Sequence, residues 1–291
     1  MEFATLTQII LPLALAMMML TLGLSLSIRD FKQALVKPKA FILGITLQLL
    51  LLPLIAWLHI IVVGKFIELP LIVTAGLVIL AACPGGATSN LIAYILGGNA
   101  ALSVSMTALV SLIMPLIIPF SLSWQLSWLG VDSQISLPYL ITFKKLLLIT
   151  IIPVIIGMLI RGVFRKTTEK AQPYNSKAAT ALFVGFGVFL AWRFHQDLLQ
   201  SGWLMVLVCL SLALSAMFMT HLFSKQAKLN FSNRRTLLIE VGVQNAGTGI
   251  FIAVAILNQP EWTLLPLLYG LVMNLPILSL LVKDKWVKSH A

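Results

Sequence analysis

The stretch LPLIVTAGLVILAACPGGATSNLIAYILGG, residues 69–98, is apolar at both ends and broken in the middle. At 1.5 Å per residue an unbroken helix of this length would run roughly 45 Å, well beyond a hydrocarbon core of about 30 Å. The break is explicit. Pro84 removes an N–H and collides with the preceding turn, and Gly85 and Gly86 add backbone freedom. Thr88, Ser89 and Asn90 then bring oxygen atoms to the same point, and Ser or Asn can cap a new half-helix. Non-helical backbone at membrane depth survives only inside protein or beside a watery cavity, so this segment reads as half of a binding site.

A second segment repeats the pattern. IEVGVQNAGTGIFIAVAI, residues 239–256, carries Glu240, Gln244, Asn245 and Thr248 among Gly242, Gly247 and Gly249. It lacks a proline, so its interruption is less explicit.

The rest of the chain sets these segments in a bilayer. Of 291 residues, 59% are hydrophobic and 10% charged, against about 25% charged in soluble domains. Nine apolar spans are expected, at 6–28, 40–63, 69–97, 100–123, 138–161, 178–196, 203–223, 235–257 and 262–282. The first begins near Leu6 without a basic leader and is read as a span rather than a cleavable signal. The net charge of +11 is a topology signal rather than a nucleic-acid footprint. Sixteen of the 20 basic residues fall on alternate loops and the tail, and four on the other side. The positive-inside rule then puts the N-terminus outside and the C-terminus in the cytoplasm.

The expected architecture is an all-α membrane protein forming a single integral unit, 1–291. A first repeat of about 6–123 and an inverted second repeat of about 178–282 flank an unpaired span of about 138–161. Each half has its interrupted segment third, the best sequence pointer to a transporter's site.

Among nine acids, Glu240 alone lies within a span beside a helix break. A cation is the natural partner for such a carboxylate, with neutral oxygens completing its shell. Ser89 and Asn90 lie at the first break, Ser103 and Thr107 share a helix face at i, i+4, and Gln48 lies mid-span. Simpler readings compete. Glu240 could pair with Arg234 or Arg235. Ser103 and Thr107 could bond their own helix, Gln48 could be interhelical glue, and the PGG could be a structural kink. Cys83 and Cys209 imply no disulfide framework, and the four histidines show no ligand spacing. HExxH, GxSxG and paired intramembrane aspartates are absent from the sequence, so no enzyme is expected.

CPGGATSN (83–90), GNAALSVSMT (98–107) and EVGVQNAG (240–247), with TLGLSLSIRDF (21–31) and LQLLLLP (47–53), resemble signature segments of the bile acid:sodium symporter family. The resemblance runs in order along nearly the whole chain and matches a nine-span, bacterial-type form. It implies a core domain and a panel domain, with two broken helices crossing in the core. It also implies two sodium ions. One would be held by Ser89, Asn90, Ser103, Thr107 and Glu240. The other would be held by Gln48, Glu240, Gln244 and the carbonyls of Val241 and Val243. Asn245, Thr88 and Asn90 would face the substrate. The family often places threonine directly after the two glycines, whereas this chain has Ala87-Thr88. The implied activity is sodium-coupled symport of an organic anion by alternating access. A proton-coupled or exporting transporter of the same fold is the alternative. Short tails suggest a bacterial inner membrane protein.

Overall fold

The computed structural model describes residues 9–27, 38–86, 88–130 and 138–280. The basic residues Arg29, Lys32, Lys37, Lys283, Lys285 and Lys288, the acid Asp132, and Ala87 lie outside that set. The described residues are nearly all helical. In chain order the helices are α1 Leu11–Ser25, α2 Pro38–Val63, α3 Leu71–Ala81, α4 Thr88–Ile95, α5 Ala100–Trp128 and α6 Tyr139–Val163. They continue with α7 Arg165–Arg193, α8 His195–Gln226, α9 Phe231–Gly242, α10 Ala246–Ile256 and α11 Pro260–Leu280. Five of them, α2, α5, α6, α8 and α11, are long and apolar enough to cross a membrane, and α1, α3 and α10 are shorter apolar helices.

Local chemistry explains the helix ends and irregularities. Asn99, Asn230 and Asn245 cap α5, α9 and α10 by accepting the N–H of Leu102, Asn233 and Thr248. Two π turns, Leu47–Leu51 in α2 and Leu147–Ile151 in α6, each lie just ahead of a proline, Pro53 and Pro153. A proline ring crowds the carbonyl four residues earlier, and widening the helix relieves that clash. The first π turn carries Gln48.

α1 packs on α6 and α7. At its crossing with α6 a Cβ on Gly23 would lie 2.2 Å from Val154 O, and one on Gly157 would lie 2.5 Å from Leu20 O, so only glycine permits this approach. α8 packs on α9 and α11, and α3 on α11. One apolar core joins α2, α3, α5, α8, α9 and α11, and a second joins α1, α3, α5, α6 and α10. α3 and α5 contribute to both, and the second interrupted segment gives α9 to the first core and α10 to the second.

The sequence expects the sixth span at 178–196, but α7 begins at Arg165. Its polar first turns carry an Arg165–Glu169 ion pair at i, i+4, with Nε 2.9 Å from Oε1. Hydropathy does not register a helix that starts outside the apolar stretch.

Candidate functional site

Both interrupted segments leave helical geometry at the same place. α3 ends at Ala81, and α4 resumes at Thr88. α9 ends at Gly242, and α10 resumes at Ala246. The extended pieces between them run antiparallel and bridge at Gly85 and Gln244. Gly86 N–H donates to Val243 O (3.0 Å), and Asn245 N–H donates to Pro84 O (2.9 Å). An unpaired backbone group in hydrocarbon costs several kcal/mol. Each break therefore satisfies the other, and neither would be stable alone. Tyr269, fully buried, donates its hydroxyl to Gly242 O (2.8 Å) and holds the free end of α9.

Glu240 lies in the last turn of α9 and is 0% exposed. Three hydroxyls converge on it. Ser89 Oγ reaches Oε1 (2.7 Å), Ser103 Oγ reaches the same oxygen, and Thr107 Oγ1 reaches Oε2 (2.7 Å). Each hydroxyl also faces a second acceptor. For Ser89 it is Gly86 O (2.6 Å), and for Ser103 and Thr107 it is Asn90 Oδ1 (2.9 and 3.3 Å). A hydroxyl has one proton, so it cannot serve both. The pocket is therefore rich in oxygen and short of protons, the environment a hard cation fills.

Arg235 is engaged elsewhere. It donates to Leu96 O (2.9 Å) and lies over the Phe231 ring, 4.3 Å from its centroid. Among the described residues the ion pair is Arg165–Glu169, not one made by Glu240.

A second group of polar side chains lies beside Gly85. A Cβ there would sit 2.9 Å from Gln48 Nε2 and 3.3 Å from Glu240 Oε2. Gln48 is 0% exposed, and neither end of its amide has a hydrogen-bond partner. Gln244 donates Nε2 to Val241 O (2.7 Å), while its buried Oε1 has no partner. Each orphaned amide group costs about 1–3 kcal/mol. The buried amides of Gln48 and Gln244, the Glu240 carboxylate and nearby main-chain carbonyls are donors of the kind that suit a monovalent cation. The carbonyl of Val243 accepts from Gly86 N–H, and a carbonyl has a second lone pair to offer.

The residues expected to face substrate are less uniform. Asn245 is buried, with Oδ1 accepting Thr248 N–H (3.1 Å). Thr88 is exposed at the start of α4, and Asn90 is half-buried with Oδ1 turned to Ser103 and Thr107. Tyr269 is absent from the sequence reading because nothing local distinguishes a buried tyrosine that holds a helix end. Asn99, Asn233 and Thr236 are absent too. They bond across α5 and α9, and a census of charges passes over neutral side chains.

Comparison with known proteins adds kinship. A family described as Sodium Bile acid symporter family matches residues 12–202. The chain is 30% identical over 249 residues to the probable sodium/metabolite cotransporter BASS1 of Arabidopsis thaliana, covering 84% of this chain and 59% of that protein. It is 30% identical over 241 residues to the Bacillus subtilis sodium-dependent transporter YocS, covering 83% and 72%. It is 29% identical over 251 residues to the rat hepatic sodium/bile acid cotransporter, covering 82% and 65%.

Proposed function

The chain belongs to the sodium bile acid symporter family, and on that premise we propose that it is a sodium-coupled symporter of organic anions and not an enzyme. The observation that carries this reading is the oxygen-only shell of Glu240, a buried carboxylate facing three hydroxyls. Two sodium ions bind. Ser89, Asn90, Ser103, Thr107 and Glu240 hold one. Gln48, Glu240, Gln244 and the carbonyls of Val241 and Val243 hold the other. The orphaned amides of Gln48 and Gln244 support the second assignment. The ions neutralise Glu240 and brace the crossing.

The organic anion, a small carboxylate or bile acid-like molecule, binds beside the resumed half-helices near Asn245, Thr88 and Asn90. Half-helix N-termini attract negative charge there. Nine spans in two inverted repeats, about 6–123 and 178–282, form a core that rocks against a panel and alternates access. The N-terminus lies outside and the C-terminus in the cytoplasm of a bacterial inner membrane. Uptake of radiolabelled organic anions into proteoliposomes tests the reading. An inward sodium gradient should drive accumulation of at least one carboxylate. Uptake that follows a proton gradient and ignores sodium would establish the proton-coupled alternative instead.

A further inference from the structure

Below the ion pocket, α5 and α9 carry two facing polar stripes. On α9, Asn233, Thr236 and Glu240 recur at i, i+3 and i+7, and on α5, Asn99, Ser103 and Thr107 recur at i, i+4 and i+8. Ser103 and Thr107 donate to Glu240 and form the upper rungs. The lower rungs involve no charge. Asn99 Nδ2 donates to Asn233 Oδ1 (2.9 Å), and Asn99 N–H donates to Thr236 Oγ1 (2.7 Å). Thr236 Oγ1 lies 3.0 Å from Ser232 O, so its own proton has a partner and its lone pair is free for Asn99. Thr236 is 0% exposed and Asn233 is 6% exposed. The preceding turn has no slack, because a Cβ on Gly98 would lie 2.8 Å from Thr236 Oγ1 and 2.9 Å from Ala93 O.

We propose that Asn99, Asn233 and Thr236 are positioning residues, a hydrogen-bonded clasp that sets the spacing between the α5 hydroxyls and Glu240 and thereby the sodium affinity of the pocket. The inference rests on the symport reading above. The hydrogen bonds to the carboxylate come from Ser89, Ser103 and Thr107 rather than from these three; Thr236 lies one turn before Glu240 and Asn99 one turn before Ser103. A site must be held to about 0.5 Å to work, and removing groups that orient metal ligands typically costs 10–100-fold in affinity. Neutral groups suit this place, since a charge here would compete with the ion.

The test is sodium-dependent thermal stabilisation of the purified full chain. Thr236→Val keeps the shape and strands Asn99 N–H, Thr236→Ser keeps the oxygen, and Gly98→Ala pushes on the clasp without removing a polar group. Half-saturating sodium should rise about tenfold or more in Thr236→Val and Gly98→Ala and stay near wild type in Thr236→Ser. A lower sodium-free Tm with unchanged half-saturation in both variants would make the clasp merely structural and overturn the inference. Should Thr236→Val fail to fold, Gly98→Ala decides alone. A wild-type protein with no response to sodium would remove the symport reading and this inference together.

Discussion

Thr107 Oγ1 donates to Glu240 Oε2 across 2.7 Å, joining the third turn of α5 to the last turn of α9. A hydrogen bond to a charged group is worth about 1.5–3 kcal/mol. Thr107→Val keeps the volume and removes that donor together with a candidate ligand oxygen. Half-saturating sodium should therefore rise roughly tenfold or more, read by titrating Tm against sodium at constant ionic strength. Ser211→Ala on α8, whose hydroxyl bonds its own helix at Val208 O, should leave the titration unchanged.

Gln48 gives a prediction of opposite sign for stability and binding. Its buried amide is unpartnered at both ends, so Gln48→Leu removes a cost of about 1–3 kcal/mol per orphaned group. The sodium-free protein should melt higher than wild type. The sodium-induced shift should become smaller and lose cooperativity, because one of two proposed ions loses a ligand. A calorimetric sodium titration of the variant measures both changes.

Gly86 sits where two backbones touch. A Cβ there would lie 3.1 Å from Gln244 O and 3.1 Å from Val243 Cγ1, and neither the crossing main chain nor the packed valine can yield freely. Overpacking of this kind typically costs about 1–3 kcal/mol, so Gly86→Ala should lower Tm even without sodium. Gly185, in the C-terminal third of α7, has open space around its Cβ position. Gly185→Ala should leave stability unchanged or raise it by up to about 1 kcal/mol.

On the proposed stoichiometry of two sodium ions with a monovalent anion, one net charge should move per cycle. Each charge is worth about 2.3 kcal/mol per 100 mV, so imposing 100 mV, negative inside, should raise equilibrium accumulation roughly 50-fold. Valinomycin-clamped proteoliposomes measure this directly, and voltage-independent accumulation would mean an electroneutral cycle and contradict the two-ion stoichiometry.

How far the sequence could be read varies from residue to residue. The first break is local chemistry, because Pro84 and its two glycines cannot continue a helix. The second break has no such author. Val243 and Asn245 leave the helix because Gly86 and Pro84 supply the main-chain partners, a tertiary fact with no local signal. Glu240 stood out as a lone carboxylate, and its spacing from Arg235 left two directions open. Helical position turns Arg235 toward Leu96 and Phe231, and Glu240 toward α4 and α5. Gln48 was legible as a polar residue mid-span. Its aim depends on the π turn ahead of Pro53, which hydropathy does not reveal. The clasp of Asn99, Asn233 and Thr236 was hidden because each residue alone reads as an ordinary cap or helix-end side chain.

On the proposed reading Glu240 is a sodium ligand. Thermal unfolding of wild type and Glu240→Gln, in sodium chloride and in choline chloride at matched ionic strength, tests it most directly. Binding only to the native state stabilises by RT ln(1 + [L]/Kd), about 2.7 kcal/mol at one hundred times Kd. The wild type should melt higher in sodium, and the variant should melt equally in both salts. Equal melting of the wild type in the two salts, or a sodium response retained in Glu240→Gln, would contradict the claim.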